Sequence, residues 1–207
     1  LHCMRALAPA AAAADQELLA SGISLVAPLL APAELSGRGI GLVAIQDIEP
    51  GQLIFQERAL ISGVPPLDGL EWLQQVEQSE PGSALRSDLE CLLTLEGGSS
   101  AKGGRESEQV RLSRVLNLNK WSLGKKDALF LHLSRFNHSC AATAYPHMDD
   151  DEATVQVRAL VPIAAGEEIT LCYLPELDSY TDRQARCKLS YGFYCQCCRC
   201  AAESSGP

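Results

Sequence analysis

Four cysteines crowd into six residues near the end of the chain: Cys195, Cys197, Cys198 and Cys200. Neighbouring cysteines meet disulfide geometry poorly. Thiolates at this spacing instead suit a soft cation such as zinc, which takes four ligands in a tetrahedron. Adjacent Cys197 and Cys198 point apart, so the loop offers Cys195, Cys197 and Cys200, and a distant cysteine is the better fourth ligand. Cys140, beside the polar Asn137-His138-Ser139, is our candidate. Such a site ties the tail to the core, and structural zinc contributes on the order of 10 kcal/mol to folding a small segment. His138 and Cys140, two apart, would share one face of a strand, which also invites a thiol-nucleophile reading. A cysteine held by zinc is not a free nucleophile, so we set that reading aside. Cys3, Cys91, Cys172 and Cys187 read as plain buried thiols.

The rest of the chain must position these residues. Its 207 residues, 46% hydrophobic, are enough for one large domain or one domain with a small appendage. Nine cysteines, several of them crowded, point to a reducing compartment, the nucleus or the cytoplasm. The net charge of −9 argues against direct nucleic-acid binding, which needs clustered Lys and Arg. It suits a basic protein or peptide drawn in by the acidic field. Ala6 to Ala14 is short and broken by Pro9, so no membrane span is expected there. We expect a monomer.

Residues 1–23 read as an Ala-rich arm. Strand texture begins at Ser24, and Gly37-Arg38-Gly39-Ile40-Gly41 is a glycine turn running into an apolar strand. Gln52 to Glu57 reads as the next strand. Leu70, Leu73 and Val76 fit one helical face, as do Leu85, Leu89, Leu92 and Leu93, with Ser83 as a cap. A Gly/Ser-rich stretch over 97–104 follows, then a helix from Glu106 to Leu118. We therefore expect a helical insert over about 65–127. Strands return at Ala142 to Pro146 and Thr154 to Ala159, flanking an acidic hairpin tip at Asp149 to Glu152. Thr181 to Ser190 should be a helix leading into the cysteines.

Four motifs in this order resemble the SET-domain protein lysine methyltransferases. They are Gly39-x-Gly41-Leu42, Asn137-His138-Ser139-Cys140, Glu168-Ile169-Thr170-Leu171-Cys172-Tyr173, and Tyr191-Gly192-Phe193-x-Cys195-x-Cys197-x-x-Cys200. The NHSC form and the CxCxxC tail are closest to the SMYD-like branch, although the insert carries only Cys91 and so lacks the ligands of a MYND zinc finger. Ala141-Ala142-Thr143 also replaces the usual Pro-Asn after Cys140.

The resemblance implies a mainly β (α+β) SET fold of short twisted sheets. It spans 24–175 with the helical insert, and 176–207 supply a helix and a zinc-binding post-SET tail. It implies S-adenosylmethionine as cofactor, one structural zinc, and a protein substrate, histone or not, bearing a lysine. Gly39, Ile40 and Gly41 would let backbone approach the cofactor, and Arg38 would pair with its carboxylate. Asn119 resembles the asparagine at the methionine end. Asn137 and His138 would meet the cofactor, His138 largely through its backbone, and Phe193 would cover the adenine. Tyr173 would stand at the methyl-transfer point and Tyr191 would line the lysine channel. Free lysine has a pKa of about 10.4, so a narrow apolar channel must favour the neutral amine. A non-catalytic reader of the same fold, and a zinc-ribbon interaction protein on an unrelated β domain, are the rival readings. The second predicts that Cys140 stands far from the tail cysteines.

Overall fold

The computed structural model describes residues 29–65, 69–93, 107–174 and 179–204. The expected N-terminal arm, the Gly/Ser-rich stretch and Cys3 lie outside the described residues. In chain order come β1 (Leu30–Leu35), β2 (Gly39–Ala44), β3 (Leu53–Arg58) and β4 (Ile61–Gly63). Three helices follow, α1 (Leu70–Gln78), α2 (Ala84–Leu92) and α3 (Glu108–Asn119). Next are β5 (Trp121–Leu123), β6 (Lys126–Leu129), β7 (Asn137–His138), β8 (Ala144–Asp149), β9 (Thr154–Ala159) and β10 (Glu168–Leu171). Helices α4 (Tyr180–Tyr191) and α5 (Cys198–Ser204) close the order. The elements form two compact units. Residues up to 56, 136–147 and 156 onward make the first, and 57–135 with 148–155 make the second.

In the first unit the chain reverses over Ser36–Arg38, and the Arg38 N–H donates to the Leu35 carbonyl at 2.9 Å. Gly39 leaves this turn at φ 71°, a region that L side chains rarely adopt. β1 and β2 then pair antiparallel, from Leu30 opposite Ala44 to Leu35 opposite Gly39. β10 joins the other edge of β2, with Ile169 opposite Leu42. On its far side β10 takes β7 in parallel, Asn137 beside Thr170 and His138 beside Leu171. The sheet order is therefore β1-β2-β10-β7. Leu42, Ala44, Ile169 and Leu171 are buried, which holds the register because a one-residue slip would turn them outward. A second sheet runs β3-β9-β8, with Val155, Val157 and Ala159 buried at alternate positions of β9.

In the second unit, Trp72, Leu73 and Val76 of α1 and Leu89 and Leu92 of α2 are buried. Leu70 is more exposed than its spacing suggested, and Trp72 takes its place on the inward face. The side chain of Leu85 lies outside the described residues. Ser83 stands at the N-terminus of α2 but makes no side-chain cap bond; its hydroxyl meets that of Ser79 at 2.9 Å.

The insert is not helical to its end. β5 and β6 form a hairpin across Gly124-Lys125, and β4 pairs with the outer edge of β6. The helix ends because Lys120 turns extended, with ψ 147°, and its Nζ reaches Asp127 Oδ2 across the hairpin at 2.6 Å. The β8–β9 hairpin begins two residues later than its sequence suggests. Its acidic tip is a solvated turn, in which Asp149 Oδ1 accepts from the Asp151 and Glu152 N–H groups.

One carboxylate organises the end of this unit. Glu57 is nearly buried and accepts from the backbone N–H groups of His132 and Leu133 and from His132 Nδ1, at 2.9–3.2 Å. It thereby fixes the 3₁₀ turn Leu133–Arg135, from which the chain runs into Phe136 and β7. Replacing Glu57 by Ala would leave these donors without their charged acceptor. We expect a loss of about 3 kcal/mol, read as a lower midpoint in urea unfolding.

Candidate active site and metal centre

The short β7 and its partner β10 bring three distant segments together. Asn137 Nδ2 donates to Glu168 Oε1 at 2.9 Å. The other carboxylate oxygen of Glu168 takes the Arg38 guanidinium at 2.6 Å. Arg38 also donates to the His138 carbonyl at 2.8 Å. Gly41 stands under this network: a Cβ there would lie 2.6 Å from Asn137 Nδ2 and 2.9 Å from Glu168 Oε1. A side chain at 41 would thus have to displace the Asn137 and Glu168 side chains from their contact. At Gly39 a Cβ would meet nothing within 4 Å, so space opens beside its backbone. Arg38, which the sequence pointed toward a ligand carboxylate, already bridges Glu168 and His138. Glu168 was not singled out in the sequence, although it opens the Glu168-Ile169-Thr170 motif. Only its two cationic and amide partners reveal its part.

Past β10 the chain leaves the sheet. The Ser139 N–H donates to the Leu171 carbonyl at 2.9 Å, and the Tyr173 N–H donates to His138 Nδ1 at 3.1 Å. The Tyr173 hydroxyl donates to the Phe136 carbonyl, and the Tyr191 hydroxyl reaches the Tyr173 carbonyl at 3.4 Å. Four rings then close a circle. Centroid separations are 5.2 Å for His138–Tyr173, 5.1 Å for Tyr173–Tyr191, 6.2 Å for Tyr191–Phe193 and 5.9 Å for His138–Phe193. All are tilted, the geometry that ring quadrupoles favour. Their faces form a surface able to hold a cation or a heteroaromatic base.

The sulfur atoms of Cys140, Cys195, Cys197 and Cys200 lie within 4.8 Å of one another. Cys140 and Cys200 stand 3.6 Å apart; two thiolates on one tetrahedral zinc would be separated by about 3.8 Å. The donor set therefore fits a structural zinc, and Cys198 is exposed and outside the cluster. The zinc-ribbon rival needs a remote Cys140 and fails here.

Acidity follows the same crowding. Burial pushes the Cys140 thiol up, and the neighbouring Cys200 adds to it. Burial also pushes Cys197 up, but the Cys200 backbone N–H and further donors outweigh it and bring that thiol down to about 6. One sulfur is ready to ionise; four this close need a cation among them to do so together.

α4 supplies the frame. Ser179 caps it by accepting from the Asp182 N–H, and Arg183, Gln184 and Cys187 are its buried residues. The Gln184 side-chain amide grips the main chain of Cys195 from both sides, donating to its carbonyl at 2.8 Å and accepting its N–H at 3.0 Å. Arg183 reaches Glu203 at 2.7 Å and lies 3.8 Å from the Cys200 sulfur, placing a positive charge beside the thiolates. Neither residue carried a sequence signal beyond its place in a polar helix. Asn119 belongs to the second unit, at the end of α3, and its amide donates to the Val115 carbonyl at 2.9 Å.

Residues 39–174 match the family model described as SET domain. A SET and MYND domain-containing protein of Dictyostelium discoideum is 38% identical over 72 residues, which are 35% of this chain and 21% of that protein. The protein-lysine N-trimethyltransferase SMYD5 of Mus musculus is 35% identical over 82 residues, 38% of this chain and 20% of that one. The histone-lysine N-methyltransferase SET5 of Saccharomyces cerevisiae is 27% identical over 103 residues, 49% of this chain and 20% of its own. The matched segments thus span about a fifth of each relative. Among solved structures, Rubisco LSMT bound to AdoMet superposes with TM-score 0.58 at 15% identity, over 91% of this chain and 57% of that one. This likeness establishes the SET fold that the sequence led us to expect.

Two outcomes follow from the geometry. Metal analysis of the purified chain should return about one zinc per chain and almost none in the Cys195→Ser, Cys200→Ser double variant. The His138 ring is lowered from 6.5 to about 4, chiefly by burial and then by the charge of Arg38. The unfolded chain takes up a proton near 6.5 that the folded ring refuses. This contribution is therefore intact above that pH and is lost as pH falls toward 4. Urea midpoints measured between pH 7.5 and 5 should fall more steeply for the wild type than for His138→Asn.

Proposed function

This chain belongs to the SET-domain family, and from that premise we propose that it transfers a methyl group from S-adenosylmethionine to a lysine side chain of a protein. The observation that carries the reading is the closed ring of His138, Tyr173, Tyr191 and Phe193 beside the Asn137–Glu168–Arg38 network. When bound, the cofactor supplies an electrophilic methyl on a sulfonium. Toward it the chain offers the open backbone at Gly39 and Ile40, the Asn137 amide and the His138 main chain. Phe193 gives a flat apolar face for the adenine.

The reaction requires a neutral amine in line with the methyl. Tyr191 and Tyr173 would line its approach, their rings excluding water and so lowering the proton affinity of the entering lysine. The Tyr173 hydroxyl, anchored on the Phe136 carbonyl, would fix one wall of the channel, and carbonyl oxygens near it could hold the polarised methyl by weak C–H···O contacts. The chain has no covalent step to perform; its contribution is orientation.

The NHSC and CxCxxC motifs, together with relatives named for SET and MYND domains, favour the SMYD-like branch, without MYND ligands in the segment between β4 and β5. We assign a basic protein substrate from the net charge of −9. A monomer acting in the nucleus or cytoplasm fits described cysteines that form no disulfide with one another. No described helix is long and apolar enough to cross a membrane.

Labelled-methyl transfer to whole-cell lysate tests the reading. The wild type should label lysine in protein, and Tyr173→Phe should do so roughly 100-fold more slowly. Equal labelling by both would refute the role of Tyr173.

A further inference from the structure

We propose that the His138 side chain is a positioning strut, which holds the Tyr173 backbone with one ring nitrogen and the metal-bound Cys140 sulfur with the other. The sequence reading gave His138 a role through its main chain; the imidazole adds a second. Its Nδ1 stands 3.1 Å from the Tyr173 nitrogen. A backbone N–H can only donate, so Nδ1 carries no proton. The single proton of a neutral ring then sits on Nε2, which lies 3.2 Å from Cys140 Sγ. A zinc-bound thiolate is a good acceptor for it. The ring is buried and packed against Tyr173 and Phe193, and the Leu171 backbone is a further hydrogen-bond partner that must be shared with these two.

The position of this strut gives it a task. The β7–β10 ladder ends where the Ser139 N–H meets the Leu171 carbonyl, and β10 itself stops at Leu171. Tyr173 lies beyond the ladder, and its N–H is held by His138 in place of a neighbouring strand. Cys140 sulfur, imidazole and the Tyr173 amide thus form one continuous chain of bonds, which zinc held by the four cysteines would extend to the metal. Ligand partners of this kind commonly change affinity or activity 10- to 100-fold when lost. What Tyr173 then does rests on the function proposed above; the strut itself does not.

Two half-variants separate its ends. His138→Asn retains an acceptor near the Nδ1 position but cannot reach Cys140. His138→Gln sets its amide near the Nε2 position, retaining the donor to sulfur and releasing the Tyr173 N–H. In the cobalt-substituted chain, His138→Asn should move the thiolate-to-cobalt charge-transfer bands to longer wavelength, and His138→Gln should leave them in place. Both should lower kcat roughly tenfold. Unmoved cobalt bands in His138→Asn, or full kcat in His138→Gln, would overturn the proposal. Should either variant fail to fold, the wild type decides. Nitrogen-15 spectra of the cadmium-113-substituted chain should show a bare Nδ1 and a protonated Nε2 coupled to cadmium through Cys140. A proton on Nδ1 would overturn the strut. These spectra in a chain without methyl transfer would support the strut and sink the proposed activity instead.

Discussion

Two residues of parallel pairing organise the site. Asn137 beside Thr170 and His138 beside Leu171 make up the whole of β7's ladder with β10. A pairing so short has little stability of its own, since parallel ladders gain their strength from length and burial on both faces. It persists because each end is fastened by something else. Upstream, Phe136 is buried and packs against Phe55 at 5.7 Å between ring centroids. Downstream, Cys140 enters the four-sulfur cluster. Between these fixed points the two residues of β7 have little freedom, and each turns its side chain to a distinct use.

Charge is arranged around this pairing with the same economy. Glu168 sits at the start of β10 and satisfies Arg38 and Asn137 together, so three segments share one carboxylate. Its two oxygens take a guanidinium and an amide, one each, so the carboxylate is fastened from both sides. The sulfur cluster has a corresponding cation in Arg183, itself held by Glu203. Four thiolates around one zinc carry a net charge of about −2, and a guanidinium beside them offsets part of it inside the unit. The polar face of α4 is therefore turned inward for a reason that hydrophobic periodicity does not express.

This marks the boundary of what the sequence could tell. Glycine punctuation before β2, the strand over Thr154 to Ala159 and the helix over Thr181 to Ser190 are local readings, and those elements are present. The four clustered cysteines were readable as a candidate metal set because soft sulfur at that spacing has few other uses. The β5–β6 hairpin was hidden by its neighbourhood: it directly follows a helix, and its two-residue turn is fixed by pairing with β4, a partner some sixty residues earlier. Glu168, Arg183 and Gln184 were hidden for another reason. Acidic and amide residues on a strand end or a helix are usually solvated, and only the folded contacts show that these three act as clamps.

The metal and the chemistry are joined by geometry rather than by contact. The tail from Tyr191 to Ser204 contributes few buried apolar residues, chiefly Cys195 and Cys200. Burial of two small side chains cannot offset the conformational entropy of ordering a segment of that length, which costs about 1–2 kcal/mol per residue. Metal ligation can supply a large part of that difference, and the Gln184 grip on Cys195 adds two bonds that direct it. Tyr191 and Phe193 lie within this segment, so a metal that ordered it would also order half of the aromatic ring. The other half is His138 on β7 and Tyr173 just past β10, and Cys140, two residues after His138, is one of the four clustered sulfurs. A cation held by the four sulfurs, outside the aromatic ring, would therefore set the spacing across it.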